Sequence, residues 1–145
     1  MNKKQKEKFR EFIFDNLDHI LKASDFGAWR SQVNIHDDYA KDEDGKMIEF
    51  EIDPDPPYQQ FRLDIYKTVQ DYYEAGQFNR VYEGLCHEVG HLHTATLYGL
   101  LEQTYKSKEE VIRANENLST KIGYYLYKLS ITGDETSGNK RKRTK

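Results

Sequence analysis

The spacing of hydrophobic residues divides the chain into a helical segment, a segment of strands and a second helical segment. From about Lys4 to Ala23 hydrophobic residues recur every three or four positions, which is the period of an amphipathic helix. From residue 29 to residue 66 hydrophobic and polar residues instead alternate in three stretches, which predicts three half-buried strands. The residues on the inward side of these strands are Trp29, Ser31, Val33 and Ile35, then Ile48, Phe50 and Ile52, and finally Phe61, Leu63 and Ile65.

Two further helices are predicted in the C-terminal half. The first runs from about Asn79 to about Tyr105, with Val81, Leu85, Val89 and Leu92 at helical spacing. The second runs from Lys108 to about Ile131 and begins at an S-x-x-E capping box formed by Ser107 and Glu110. Its predicted core stripe is Val111, Leu118, Ile122, Tyr125 and Leu129. The segment from Val69 to Phe78 fits either a loop or a short helical turn.

The order helix, three strands, helix, helix predicts a compact α+β domain over residues 1–131. One apolar and one polar face on each strand favour a small, mostly antiparallel three-stranded sheet that helices cover on one side. Residues 132–139 contain no large hydrophobic side chain, and basic residues follow at Lys140, Arg141, Lys142, Arg143 and Lys145. Residues 132–145 are therefore predicted to form a disordered basic tail.

Composition narrows the possible classes of protein. The chain has 145 residues, of which 37% are hydrophobic and 32% are charged, and no apolar run approaches the ~20 residues of a membrane span. The basic start is followed by an amphipathic segment, so no signal peptide is expected, and a single cysteine, Cys86, suits the reducing cytoplasm. We expect Cys86 to be a small buried hydrophobic residue.

Charge is distributed unevenly along the chain. The net charge is −3, but the last six residues carry five positive charges, which leaves −8 on the rest. An acidic body argues against nucleic-acid binding by the fold itself. Any contact with nucleic acid is expected to be weak and to involve the tail. The oligomeric state does not follow from the sequence.

The most informative motif is His87-Glu88-Val89-Gly90-His91, which has the form H-E-x-x-H within the second predicted helix. Positions i and i+4 share one helix face, so the two imidazoles can bind the same ion. Glu88 lies beside that face, where its carboxylate can reach a metal-bound water without binding the metal. Two His ligands with a neighbouring Glu base are the arrangement of a zinc peptidase.

A catalytic zinc site needs a third protein ligand, and the sequence offers a candidate on the returning helix. Glu116 lies there, with 24 residues between it and His91. Its helix face also carries Ile112, Ser119 and Gly123, and the small groups at 119 and 123 would let this face approach the first helix closely. Rival carboxylates for the third position are Glu102, Glu109 and Glu110.

Asn115 and Glu116 begin an N-E-x-x-S-x-x-x-G pattern that ends at Gly123. Together with H-E-x-x-H, this pattern resembles the gluzincins, the thermolysin-like zincins, over the segment from Val81 to about Leu129. The small size resembles the minimal zinc metallopeptidases of bacteria, phages and mobile elements. The resemblance implies a zincin-like fold, zinc bound by His87, His91 and Glu116, Glu88 as general base, and a protein or peptide as substrate.

One position departs from the gluzincin pattern. Thermolysin-like proteins have an Asp directly after the Ser of the second motif, where it orients a zinc-binding His, whereas this chain has Thr120. Carboxylates in that position fix the tautomer of the ligand and raise its basicity. The departure leaves an alternative open, in which the chain is a catalytically weak or inactive zincin-fold module that binds metal or a protein partner.

Overall fold

The fold is known from a computed structural model that describes residues 1–102 and 108–138. The helices are α1 (Lys3–Ala23), α2 (Lys67–Glu74), α3 (Phe78–Glu102) and α4 (Lys108–Gly138). The strands are β1 (Arg30–Ile35), β2 (Ala40–Lys41), β3 (Met47–Ile48), β4 (Phe50–Asp55) and β5 (Gln60–Ile65), with a 3₁₀ turn at Pro56–Tyr58. The predicted α+β class is confirmed, and the ambiguous segment after β5 contains the short helix α2.

The main sheet has the strand order β1-β5-β4 and is mixed. Strand β5 lies parallel to β1, from Arg30 beside Gln60 to Ile35 beside Ile65, and antiparallel to β4. The prediction of a mostly antiparallel sheet was therefore wrong. After β1 the chain forms the β2–β3 hairpin and β4 before it returns as β5, so β5 enters the centre of the sheet in the direction of β1. Alternation along a strand reports its two faces and carries no information about its direction.

The core lies between the apolar face of this sheet and the helices α1 and α3. Phe61, Leu63 and Ile65 of β5 are buried, as their alternation predicts. They share one hydrophobic cluster with residues of α1 and α3, namely Phe9, Ile13, Leu17, Ile20, Leu21, Val81, Leu85, Cys86, Val89 and Leu92. The helix periods of α1 and α3 are thereby confirmed, and Cys86 is buried, as expected.

Helix α4 packs on α3, but through a different face from the predicted stripe. Ser119, Gly123 and Leu126 are buried, whereas three members of the predicted stripe are exposed, namely Leu118, Tyr125 and Leu129. The prediction was wrong for these three residues, whereas Ile122 of the stripe packs partly buried against the core. The small residues Ser119 and Gly123 let the two backbones approach, so the closest contact of the helices falls on their face. The capping residue Ser107 and the predicted end at Tyr105 lie outside the described residues.

Helix α4 continues to Gly138, beyond the predicted end near Ile131. Residues 139–145 lie outside the described part of the chain, so the division into a domain and a tail stays a prediction. Within the described residues, no helix combines the length and the apolar character needed to cross a lipid bilayer.

Candidate metal centre

Helix α3 places His87 and His91 one turn apart with their Nε2 atoms close together. The two Nε2 atoms are 3.2 Å apart, and the ring planes are nearly perpendicular at 88°. Donor atoms of His87, Glu88 and His91 all lie within 4.8 Å of one another. The two imidazoles share one helix face, as the i, i+4 spacing predicts, and Glu88 lies beside them.

Helix α4 brings Glu116 to the same point. Its two carboxylate oxygens lie 3.6 Å from His87 Nε2 and 3.6 Å from His91 Nε2. Two ligands about 2.0–2.1 Å from a tetrahedral zinc ion stand about 3.4 Å apart, so the spacing of the three groups fits one ion that Glu116 approaches with both carboxylate oxygens, Oε2 on the side of His87 and Oε1 on the side of His91. Of the rival carboxylates, Glu109 is not among the residues that line the cleft beside the imidazoles, and the side chains of Glu102 and Glu110 lie outside the described part.

Two glycines allow Glu116 to come this close. A Cβ on Gly123 would lie 2.8 Å from the Cα of His87, and a Cβ on Gly90 would lie 2.6 Å from the carbonyl oxygen of Ser119. Both clashes would be with backbone atoms, which cannot rotate away. The pair of glycines therefore sets the separation of α3 and α4 at the level of the two imidazoles.

The outer nitrogen of His91 contacts one hydroxyl group, which in turn contacts a second. Its Nδ1 lies 2.9 Å from Ser119 Oγ, which lies 3.2 Å from Thr94 Oγ1, and Thr94 Oγ1 donates to the carbonyl oxygen of His91 at 3.1 Å. With Nδ1 protonated, one chain of donors runs from the ring through Ser119 and Thr94 back to the backbone. That tautomer leaves Nε2 with a free lone pair, which is the form that binds a cation.

Asn115 fits the same tautomer. Its amide lies beside His91 Nδ1 at 3.4 Å, and its Oδ1 is buried without a hydrogen-bond partner. Turning the amide would place Oδ1 beside the Nδ1 proton, as a second acceptor next to Ser119 Oγ. Neither Thr94 nor Asn115 was assigned a role from the sequence. Asn115 stands beside Glu116 in the N-E-x-x-S-x-x-x-G pattern, whereas no sequence pattern marks Thr94.

The corresponding nitrogen of His87 has a weaker partner. Thr120 Oγ1 lies 3.5 Å from His87 Nδ1, at the limit of a hydrogen bond. Thr120, which stands where the gluzincin pattern has an Asp, therefore lies beside a candidate metal ligand. A neutral hydroxyl at this distance orients the imidazole less firmly than a carboxylate and adds little to its basicity.

Glu88 is the most perturbed acid of the site. It is only 9% exposed, and burial together with the charges of Glu116 and Glu51 raises its pKa to about 8. Burial lowers the pKa of His91, against an opposing effect of the Glu116 carboxylate. Both shifts disfavour charge in the site while no cation is present, and a bound cation would reverse this balance.

The three candidate ligands and Glu88 line a cleft of about 630 Å³. One wall is β4 with the turn that follows it, and the other is formed by α3 and α4. The described lining residues outside the metal centre are Phe50, Glu51, Ile52, Asp53, Pro54, Pro56, Ala95, Ile112 and Asn115. A groove between a strand and a helix pair has room for a chain segment beside the metal centre.

In comparisons with known proteins, no family model, no curated protein and no solved structure matches this chain. The resemblance to gluzincins therefore depends on the two motifs, and the metal centre depends on its own geometry.

Proposed function

We propose that this protein is a zinc-dependent metallopeptidase of the gluzincin type. The observation that carries the proposal is the set of three distances, 3.2, 3.6 and 3.6 Å, among donor atoms of His87, His91 and Glu116. Two neutral imidazoles and one carboxylate form a ligand set of catalytic zinc sites, which keep a fourth position open. The buried Glu88 beside them supplies a residue that a purely structural metal site does not need.

The four residues would divide the work of peptide hydrolysis. His87, His91 and Glu116 would hold zinc, which when bound supplies a Lewis acid that polarises water and the substrate carbonyl. Beside a bound dication the carboxylate form of Glu88 is favoured, which is the form that a general base needs. Glu88 would accept the proton of the attacking water and pass it to the leaving amine. No tyrosine is among the described residues that line the cleft.

The shape of the cleft favours an extended substrate. Strand β4 is at the edge of the sheet and borders the metal centre, so a peptide can pair with it through main-chain hydrogen bonds. An extended or partly unfolded protein segment fits this arrangement better than a compact surface does. We expect the protein to act in the cytoplasm, and we expect nucleic acid to be at most a weak partner of the basic tail.

The test uses Glu88→Gln, which keeps the shape of the side chain and removes its basicity. The zinc-loaded wild type should cleave an unfolded protein such as reduced, carboxymethylated lysozyme, and Glu88→Gln should bind zinc equally well and cleave at least 100-fold more slowly. Glu109→Gln, on the exposed side of the start of α4, is the matched control and should cleave at the wild-type rate. Equal cleavage by Glu88→Gln and the wild type would contradict the proposed mechanism.

A second candidate is a module that holds zinc without turnover. The weak hydroxyl contact of Thr120 with His87, in place of a carboxylate, favours it. This alternative predicts one zinc per chain, no cleavage of unfolded proteins, and no functional difference between the wild type and Glu88→Gln.

A further inference from the structure

The outer edge of β4 offers main-chain groups to a second strand. Tyr66 N donates to the carbonyl oxygen of Glu49 at 3.0 Å, so the backbone of Glu49 faces β5. In an antiparallel strand the main-chain N–H and C=O groups of successive residues point to opposite sides. The main-chain groups of Glu51 and Asp53 therefore also point towards β5, whereas those of Phe50 and Ile52 point away from it. His36 N donates to the carbonyl oxygen of Ile65, which pairs with Phe50, and this agrees with the assignment. Pro54 faces away as well, where its missing N–H interrupts no bond of the sheet.

Phe50 and Ile52, whose main-chain groups point away from β5, both line the cleft. In the described part of the chain no strand pairs with β4 on this side, and residues from both of its faces line the cleft. Glu88, about nine-tenths buried, lines the same cleft and has no hydrogen-bond partner among the described residues. A strand added to this edge would therefore run past the carboxyl group of Glu88.

Two carboxylates stand beside that path on one face of β4. Glu51 accepts a hydrogen bond from the Tyr66 hydroxyl at 3.0 Å. Asp53 has a side chain that is 67% exposed, and it lies 3.6 Å from Arg62. The closer partner of Arg62 is Asp64, at 2.9 Å. The described lining of the cleft contains no Lys or Arg. With Glu88 and Glu116 committed to the metal centre, Glu51 and Asp53 leave the wall negatively charged.

We propose that the cleft selects extended peptides that carry Lys or Arg at two alternating positions, one beside Glu51 and one beside Asp53. A peptide that pairs with Phe50 and Ile52 places its intervening residue directly across from Glu51 on the same face, and the residue two positions away beside Asp53. The preferred sequence is therefore a basic residue, any residue, and a basic residue. The proposal rests on the proposed function for cleavage, whereas its charge preference also applies to binding without turnover.

The expected preference is modest and sensitive to salt. Opposite charges across two strands contribute enough for roughly a 1.4- to 5-fold preference per pair, so two pairs give about two- to thirtyfold. Both carboxylates are partly exposed, so the preference should shrink between low salt and about 0.5 M salt.

The probes are three dodecapeptides of one Ala/Thr sequence with Lys-Thr-Lys, Gln-Thr-Gln or Glu-Thr-Glu at the centre. Cleavage is measured as kcat/KM with the zinc-loaded wild type, and binding as Kd with zinc-loaded Glu88→Gln and with the chelator-treated wild type. The Lys peptide should have the highest kcat/KM and the lowest Kd, and the Glu peptide should have the lowest kcat/KM and the highest Kd. The double variant Glu51→Gln/Asp53→Asn should remove the order, and Glu51→Lys/Asp53→Lys should reverse it.

The matched control is Glu43→Gln/Asp44→Asn, which changes the net charge equally in an exposed turn that does not line the cleft. It should keep the wild-type order. Cleavage of all three peptides at equal rates would overturn the charge proposal and leave the peptidase proposal standing. Preferred binding of the Lys peptide without any cleavage would support the charge proposal and overturn the peptidase. An order that survives in Glu51→Lys/Asp53→Lys would overturn the charge proposal.

Discussion

Replacing Gly123 by alanine tests whether the close packing of α3 and α4 builds the metal centre. The new Cβ would lie 2.8 Å from His87 Cα and 3.0 Å from both Cys86 O and His87 N. Ordinary contact of a Cβ begins at 3.4 Å, so α4 must withdraw by about 0.6 Å at this level. Zinc sites hold their ligand distances to within about 0.2 Å, so Glu116 could no longer bind together with both imidazoles at ideal distances.

Two quantities follow from this withdrawal. Zinc affinity should fall roughly 10- to 100-fold, the range seen when a ligand loses its support. Overpacking costs about 1–3 kcal/mol, and the better helix propensity of alanine returns about 1 kcal/mol, so the metal-free protein should lose up to about 2 kcal/mol of stability. Zinc affinity is measured by competition with a chromophoric chelator, and stability by urea unfolding in excess chelator.

Asn117→Ala is the control for this experiment because it raises helix propensity at an exposed position of the same helix. It should keep the wild-type zinc affinity and should not lower stability. If Gly123→Ala binds zinc as tightly as the wild type and unfolds at the same or a higher urea concentration, close approach of the helices does not build the site.

Three other changes give distinct outcomes. Because the folded state raises the pKa of Glu88 to about 8 from an ordinary 4.5, the stability that its protonation contributes is fully present below pH 4.5 and is lost as pH rises towards 8. Chelator-treated wild type should therefore lose stability between pH 5 and 8, by at most about 1.4 kcal/mol per pH unit, and pH-dependent urea unfolding of Glu88→Gln should show a smaller slope. A chelator should lower the Tm of the zinc-loaded wild type by several degrees and barely shift the Tm of Glu116→Ala. The reason is that a ligand at a free concentration of a thousand times its Kd stabilises the folded state by about 4 kcal/mol. Equal shifts in the two proteins would exclude Glu116 as the ligand that joins the helices. Thr120→Asp should tighten zinc binding roughly tenfold by giving His87 Nδ1 a carboxylate partner, and an unchanged Kd would show that His87 is oriented by other means.

The three long helices, the three longer strands and the shared face of the motif followed from the sequence because they depend on local periodicity, whereas the β2–β3 hairpin and α2 did not. A period of 3.6 residues is enough to place His87 and His91 together, and it also puts Glu116 on the same face as Ser119 and Gly123. The pairing of strands that lie far apart in the chain could not be predicted in this way. The parallel contact of β1 with β5 depends on a crossover through residues 36–59, about which alternation within the strands says nothing.

The packing face of α4 could not be found by seeking its most hydrophobic stripe. Leu118 and Tyr125 form part of a regular apolar stripe and yet are exposed, whereas Ser119 is fully buried. Contact between the backbones at Gly90 and Gly123 brings Glu116 to the imidazoles, and such contact favours small residues over large ones. The hydrogen bonds from His91 through Ser119 to Thr94 likewise depend on tertiary contact between α3 and α4, so no local sequence pattern predicts them.

The central claim is that His87, His91 and Glu116 bind one zinc ion, and X-ray absorption at the zinc edge tests it most directly. The zinc-loaded wild type should hold about one zinc per chain, with two imidazole nitrogens and additional oxygen donors at about 2.0–2.1 Å. Glu116→Ala should lose an oxygen donor and bind zinc more weakly, and His87→Ala should lose the zinc on dialysis. Full zinc occupancy in His87→Ala, or a sulfur donor at about 2.3 Å in the wild type, would contradict the assignment.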